Sequence, residues 1–277
     1  MVAPNQPTVQ PTRYDSDLRD AEWALLRPHL DVRAKTGPTR RVDLRAVLNA
    51  LAYKLRTGCQ WRLLPTGFPP KSTVHYYFQQ WRKKGIWTRL NDLLRQAVRT
   101  TVEERNADPS AGVMDTQSVK STEVGGPERG GDGGKKVKGR KRHLLVDTCG
   151  LLITAVVHAA NTYDGAGAER VLEATRQRGI RLRKIWVDQT YRGALRQWMA
   201  ERDLGALEVV ARLPGQRGFD VQPHRWVVER SHAWFGRNRQ LSKEYDHNPR
   251  SSESWLYLAS IRLLLRRLTK AASTREA

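Results

Sequence analysis

The sequence predicts an α/β chain, a mixed sheet flanked by helices and preceded by an all-helical domain. Three observations point to it. Apolar residues at helical spacing fill roughly the first hundred positions. From Val113 onward the pattern changes to short strand-like apolar runs. After one hairpin those runs alternate with helical stretches, which is how a sheet with both antiparallel and parallel pairs reads. The division is a disordered tail at 1–13, a helical domain at 14–106, a sheet domain at 107–270 and a tail at 271–277.

Residues 1–13 are rich in Pro and polar residues and carry no apolar stretch, so no secretory signal is expected. Asp17 precedes a first helix, through Leu30, with Leu18, Ala21, Leu25 and Leu26 near one face. A basic connection at 33–41 follows. Asp43 suits an N-cap, because Leu44, Val47, Leu48, Leu51 and Leu55 form one stripe and Gly58 stands ready to end it. After the turn-rich 64–70, Ser72 is expected to cap a third helix with Val74, Tyr77, Phe78 and Trp81 inside and Gly85 closing it. Lys71, Ser72, His75, Gln79, Arg82 and Lys83 fall at its start or on its outward side, and such residues reach base edges and phosphates. That face reads either as ordinary solvated surface or as the reader of a helix-turn-helix-like DNA binder. A fourth helix runs from Trp87 to about Glu104 on Leu90, Leu93, Leu94, Ala97 and Val98.

In the second part, Gly112-Val113-Met114 starts a buried strand whose apolar run Asp115 breaks. Strands at 142–147 and 151–158 flank the turn Thr148-Cys149-Gly150 and make a hairpin. A helix at 161–179, a strand at 184–188, a helix at 193–202 and a strand at 207–213 follow. The last helix, from Ser252 to about Leu268, should pack across the sheet. The stretch 121–141 is too glycine-rich for a core element and basic in its second half. It is no Walker phosphate loop, since Gly134-Lys135 is followed by Lys136 rather than Ser or Thr. It reads as a flexible surface loop, or as an arm that orders on nucleic acid through Lys135, Lys136 and Arg140.

Lys and Arg number 49 against 28 Asp and Glu, a net charge of +21, which calls for a polyanionic partner through neutralised phosphates and released counterions. RNA binders and membrane-surface proteins share that signature, so it narrows the partner more than the reaction. Cys59 and Cys149 are the only cysteines, enough for neither a disulfide framework nor a zinc site, and a reduced cytosolic setting fits. No run approaches the ~18 apolar residues of a membrane span. A soluble cytoplasmic protein is expected.

Against this basic background three acids stand out. Asp115 and Asp188 each follow a strand-like run and precede polar residues, as at the mouth of a cleft. A carboxylate there needs a cation, donors or water. Glu229 lies on a helix running from His224 to Lys243, where Arg225, Glu229, His232, Gly236, Arg239 and Lys243 fall on one polar stripe and Val227, Trp234 and Leu241 face inward. Taken alone, Glu229 reads as an ion pair with Arg225 and Arg230.

Met114-Asp115-Thr116-Gln117-Ser118-Val119-Lys120, Gly139-Arg140-Lys141-Arg142-His143, Trp186-Val187-Asp188-Gln189-Thr190-Tyr191 and Arg225-Trp226-Val227-Val228-Glu229-Arg230 occur in the order seen in DDE transposases. The chain resembles the bacterial group named after insertion sequences four and five. Tyr53-Lys54-Leu55-Arg56-Thr57-Gly58-Cys59-Gln60-Trp61-Arg62 and Leu63-Leu64-Pro65 are similar to its helical leader. The resemblance implies an RNase H-like catalytic fold with Asp115, Asp188 and Glu229 as its acidic triad. The family's Tyr-x2-Arg-x3-Glu-x6-Lys signature is matched at Arg225 and Glu229, while Gln222 replaces the Tyr and Gly236 the Lys. Arg237, one residue later, becomes the candidate for that phosphate contact.

The expected chemistry is phosphodiester hydrolysis at transposon ends, then strand transfer to target DNA. Two Mg²⁺ ions about 3.5–4 Å apart, with Mn²⁺ as substitute, would be held with Asp115 bridging and Asp188 and Glu229 each on one ion. Tyr191, Arg192, Arg225, Arg230, Arg237, Arg239 and Lys243 would contact double-stranded DNA. Pairing of two ends implies a homodimer in the DNA complex, by analogy. A two-metal nuclease of the same fold, cutting without joining, and a non-catalytic DNA-binding regulator are the alternatives.

Overall fold

Four helices open the chain in the computed structural model, which describes residues 14–30, 42–123, 125–191, 193–210 and 225–275. They are α1 (Asp20–Leu30), α2 (Leu44–Thr57), α3 (Lys71–Lys83) and α4 (Ile86–Thr101). Asp43 caps α2 by accepting the Arg45 N–H at 2.8 Å, and Gly58 ends it in the left-handed region at φ 67°. Ser72 is not the cap of α3. Pro70 holds that position and Ser72 lies inside the first turn. Gly85, at φ 63°, joins α3 to α4 with hardly any loop between them.

The sheet follows. β1 (Ala111–Lys120) is its centre, β2 (Gly130–Asp132) and β3 (Val137–Asp147) form a hairpin, and β4 (Leu152–Ala159) returns beside β3. Then come α5 (Asp164–Arg176), β5 (Lys184–Val187), α6 (Ala194–Ala200), β6 (Ala206–Val209), α7 (Arg225–Gly236) and α8 (Pro249–Arg275). β3 pairs antiparallel with β1 and β4, whereas β5 pairs parallel with β1 and β6 parallel with β5. That order, β4-β3-β1-β5-β6, is the RNase H-like arrangement the resemblance implied.

Three expectations change. Asp115 does not end its strand, because β3 is long enough to pair β1 all the way to Lys120, opposite Gly139. The 121–141 stretch is not a structureless loop: Gly130–Asp132 pairs with the start of β3, and only a short turn at the hairpin tip carries Lys135 and Lys136. Helix α7 ends at Gly236, so the polar stripe does not continue to Arg239 and Lys243, which lie in and after a 3-10 turn, Arg239–Leu241. The connection at 33–41, residues 211–213 of the last strand, Gln222, His224, the expected tail up to Arg13 and residues 276–277 fall outside the described residues, whereas 271–275 of the expected C-terminal tail are the end of α8.

Alternation along the strands splits the core between the two faces of the sheet. Met114, Leu145, Ile153 and Ile185 pack under α5 and α6 with Val171, Leu172 and Leu195. Val113, Leu144, Val146 and Leu152 face α4, α7 and α8. On this side the core runs without a break into the helical leader, through Leu48, Leu51, Phe78 and Leu90. Trp255 of α8 is fully buried and stacks on Phe78 of α3 with ring centroids 4.4 Å apart. Burying an aromatic of that size contributes about 1.5–3 kcal/mol. Nearby, Lys54 Nζ donates to the Cys59 carbonyl at 2.7 Å and to Gln240 Oε1 at 3.0 Å. A Cβ on Gly58 would stand 3.1 Å from the Arg239 backbone, so α2 meets the 3-10 turn at a place where only glycine fits easily. Among the described residues no helix is long and apolar enough to cross a membrane.

Candidate active site

β1 and β5 are neighbours in parallel register, Ala111 with Lys184, Gly112 with Ile185 and Val113 with Trp186. Two residues further along each chain come Asp115 and Asp188, so the sheet brings the two carboxylates side by side at the same level. Asp188 is fixed by the turn it opens: its Oδ1 accepts the Thr190 N–H at 2.8 Å and the Thr190 hydroxyl. Helix α7 lies across this edge. Arg225 Nη2 sits 3.8 Å from Asp188 Oδ2 and 3.7 Å from Glu229 Oε1, so the guanidinium joins the second aspartate to the glutamate. One turn on, His232 Nε2 stands 3.8 Å from Asp115 Oδ2.

The electrostatics follow from burial. Asp115 is pushed up to about 6 chiefly by burial and further by the Asp188 charge, against the pull of a Thr116 backbone hydrogen bond, Arg225 and Lys135. His232 is pushed down to about 4 by burial, with Arg142 and Lys135 adding to the effect. Its Nε2 is buried with no hydrogen-bond partner among the described residues. Lys135, at the tip of the β2–β3 hairpin, is thus close enough to bear on both groups. Among the described residues no three His, Cys, Asp or Glu side chains stand close enough together to hold a metal ion. By donor type, Asp115, Asp188 and the His232 nitrogen left without a hydrogen bond suit a divalent cation, although their spacing here does not enclose one. The Glu229 carboxylate, 58 % exposed, is turned to Arg225 instead.

The family model described as "Transposase DDE domain" matches residues 106–265, more than half of the chain. The chain belongs to this family. A second, "Putative transposase of IS4/5 family", matches residues 18–91, the helical leader. The "Putative transposase for insertion sequence element IS402" of Burkholderia cepacia is 30 % identical over 115 residues, 39 % of this chain and 54 % of that protein. The "Insertion element IS402 uncharacterized 16.2 kDa protein" of the same organism is 30 % identical over 112 residues, 38 % of this chain and 74 % of that protein. The match to this chain thus spans about half the length of the first of these relatives. The solved "Mos1 transposase paired-end complex with left transposon end" aligns over 88 % of this chain and 82 % of its own at 14 % identity. Its TM-score is 0.29.

In this transposase DDE domain and its leader, the expected DNA contacts separate by exposure. Lys71, Ser72, His75 and Lys83 of α3 are exposed. Gln79 and Arg82 are half-buried and bonded to each other, Arg82 Nε donating to Gln79 Oε1 at 2.8 Å. Lys135, Lys136, Arg237, Arg239 and Lys243 are exposed. Arg192 lies outside the described residues.

Four assignments need correction. Arg140 is 1 % exposed, and its guanidinium is spent on the carbonyls of Pro127, Glu128, Asp246 and His247. Tyr191 is equally buried, its hydroxyl donating to His143 Nε2 at 2.8 Å, so it meets protein rather than DNA. Arg230 lies between the rings of Trp226 and Trp234 and donates to the Cys149 carbonyl at 3.0 Å, pinning α7 to the β3–β4 turn. Trp234, expected inside, is only partly buried under Arg230 and Arg267.

Sequence reasoning did not single out His232, Asp164 or Lys141. His232 lay on the same helical stripe as Glu229, and that spacing was the available signal. Asp164 opens α5 and pairs with Lys141 Nζ at 2.7 Å, an association between positions 23 residues apart that no local pattern announces.

Proposed function

We propose that this chain is a transposase that binds the inverted-repeat ends of an insertion sequence and, with divalent metal ions, cleaves DNA and joins the freed 3′-hydroxyl to target DNA. The observation that carries the reading is the register that sets Asp115 on β1 beside Asp188 just past the end of β5, with Arg225 of α7 lying between Asp188 and Glu229. A half-buried pair of like charges beside one another is costly, and structural acids would be spaced apart or fully paired.

When bound, two divalent ions would supply an activated water and charge stabilisation on both the attacking and leaving oxygens. Asp115, Asp188 and Glu229 would hold them, Mg²⁺ in the cell and Mn²⁺ as a substitute. Glu229 must first turn away from Arg225 to reach the cations. Lys135 draws the backbone toward the acids from the hairpin tip. Arg237, Arg239 and Lys243 grip it beyond α7, and the exposed face of α3 reads the end sequence through His75, Gln79 and Lys83. Pairing of two ends by a homodimer completes the proposal.

The test is Asp115→Asn with a labelled duplex carrying the element's terminal repeats. Mg²⁺-dependent cleavage should be lost while binding in a gel-shift assay stays within about twofold, since a neutral amide removes a cation ligand and not a DNA contact. Wild-type-like strand transfer by this variant would refute the assignment. Strand transfer from pre-cut ends by the unaltered protein separates a transposase from a nuclease that only cuts.

A further inference from the structure

We infer that His232 is a nitrogen ligand of the cation held at Asp115, which shifts the binding preference of this centre from Mg²⁺ toward first-row transition ions such as Mn²⁺ and Co²⁺. The inference rests on the proposed metal-dependent function and goes beyond it by naming a ligand outside the acidic triad.

The geometry is specific. Nε2 of His232 and Oδ2 of Asp115 are 3.8 Å apart, too far for a hydrogen bond. Metal–ligand distances of about 2.0–2.2 Å to each atom sum to slightly more than that gap, so a cation lying just off the line between them touches both. The ring is held in place, since it is only 8 % exposed. A buried imidazole nitrogen without a hydrogen bond keeps a lone pair for an occupant, which an indole N–H in the same position does not. The two other buried imidazoles of this domain are fully engaged. His143 and His158 have both ring nitrogens engaged, with Tyr191, with each other and with the Ala159 carbonyl. His232 also follows Glu229 by three residues on α7, the Glu-x-x-His spacing by which a helix offers a carboxylate and an imidazole to one metal. An imidazole nitrogen favours transition ions, whereas Mg²⁺ prefers oxygen and its own waters.

The experiment uses the full chain and Mn²⁺ alone, observed by pulsed electron paramagnetic resonance and by calorimetric titration. The wild-type protein should show ¹⁴N modulation of a bound imidazole, changed by growth on ¹⁵N-histidine. His232→Phe should lose that modulation and bind Mn²⁺ roughly ten- to a hundredfold more weakly, with a smaller change for Mg²⁺. Should His232→Phe fail to fold, judged by near-ultraviolet circular dichroism, His232→Gln supplies the same comparison and the labelled wild-type spectrum still decides. Mn²⁺ that binds without ¹⁴N modulation, yet is lost in Asp115→Asn, overturns the inference and leaves the proposed function standing. Mn²⁺ binding unaffected by Asp115→Asn overturns both.

Discussion

The hydroxyl of Tyr191 donates to Nε2 of His143 across 2.8 Å in a place where neither side chain meets solvent. The far end of the chain fixes every proton in it. The Ala159 carbonyl can only accept, so Nδ1 of His158 carries hydrogen and its Nε2 accepts from His143 Nδ1. His143 therefore offers a lone pair at Nε2, and Tyr191 must donate. Burial holds both imidazoles below their usual range, so this neutral arrangement persists.

Tyr191→Phe removes the donor and leaves His143 Nε2 unpaired. The expected cost is about 1–2 kcal/mol in urea unfolding, with DNA affinity by fluorescence anisotropy unchanged. Lost affinity at unaltered stability would contradict the buried placement.

Glu253 sets a pH dependence of stability. Its Oε1 accepts the Val157 N–H at 3.0 Å, and burial pushes the carboxyl from 4.5 up to about 7. Between those values the folded state holds the proton more firmly than the unfolded state does. This contribution is therefore intact below pH 4.5 and is lost as pH rises through about 7. The whole effect is at most roughly 3 kcal/mol. Glu253→Gln keeps the acceptor and removes the ionisation. Its melting temperature should nearly match the wild type at pH ~4.5 and exceed it at pH ~8. Parallel pH curves for the two proteins would refute the assignment.

Arg225 offsets the repulsion around Asp188 and Glu229, and all three side chains are partly exposed. Such contacts are worth about 0–1 kcal/mol. Arg225→Ala should thus lower the melting temperature by only a few degrees without divalent ions. Added Mn²⁺ should then raise it further in the variant than in the wild type, because the ion takes over the lost positive charge. Equal shifts in the two proteins would separate Arg225 from the cation site.

Much of this was legible in the chain. Asp43, Gly58 and the α2 stripe announced themselves through local spacing, and so did the Thr148-Cys149-Gly150 hairpin. Asp115 and Asp188 stood out because an acid after an apolar run is expensive wherever the run is buried. Partners far away in sequence decided the rest. Arg140 looked like a surface cation until Asp246 and His247, more than a hundred residues on, supplied the carbonyls that bury it. The length of β1 came from β3, and the end of α7 from Gly236 and the Asn238 N–H that bonds back to the Phe235 carbonyl. Register and capping of that kind depend on neighbours in space, which periodicity does not report.

Because Phe78 and Trp255 interlock, and Gly58 seats α2 against the turn after α7, the leader has no hinge of its own among the described residues. Under the proposed function, the distance from the base pairs touched by α3 to the phosphate that is cut is then set by the protein's interior, as on a ruler. Transplanting a foreign leader would change where on the duplex the break falls unless the matching surface of α8 travelled with it.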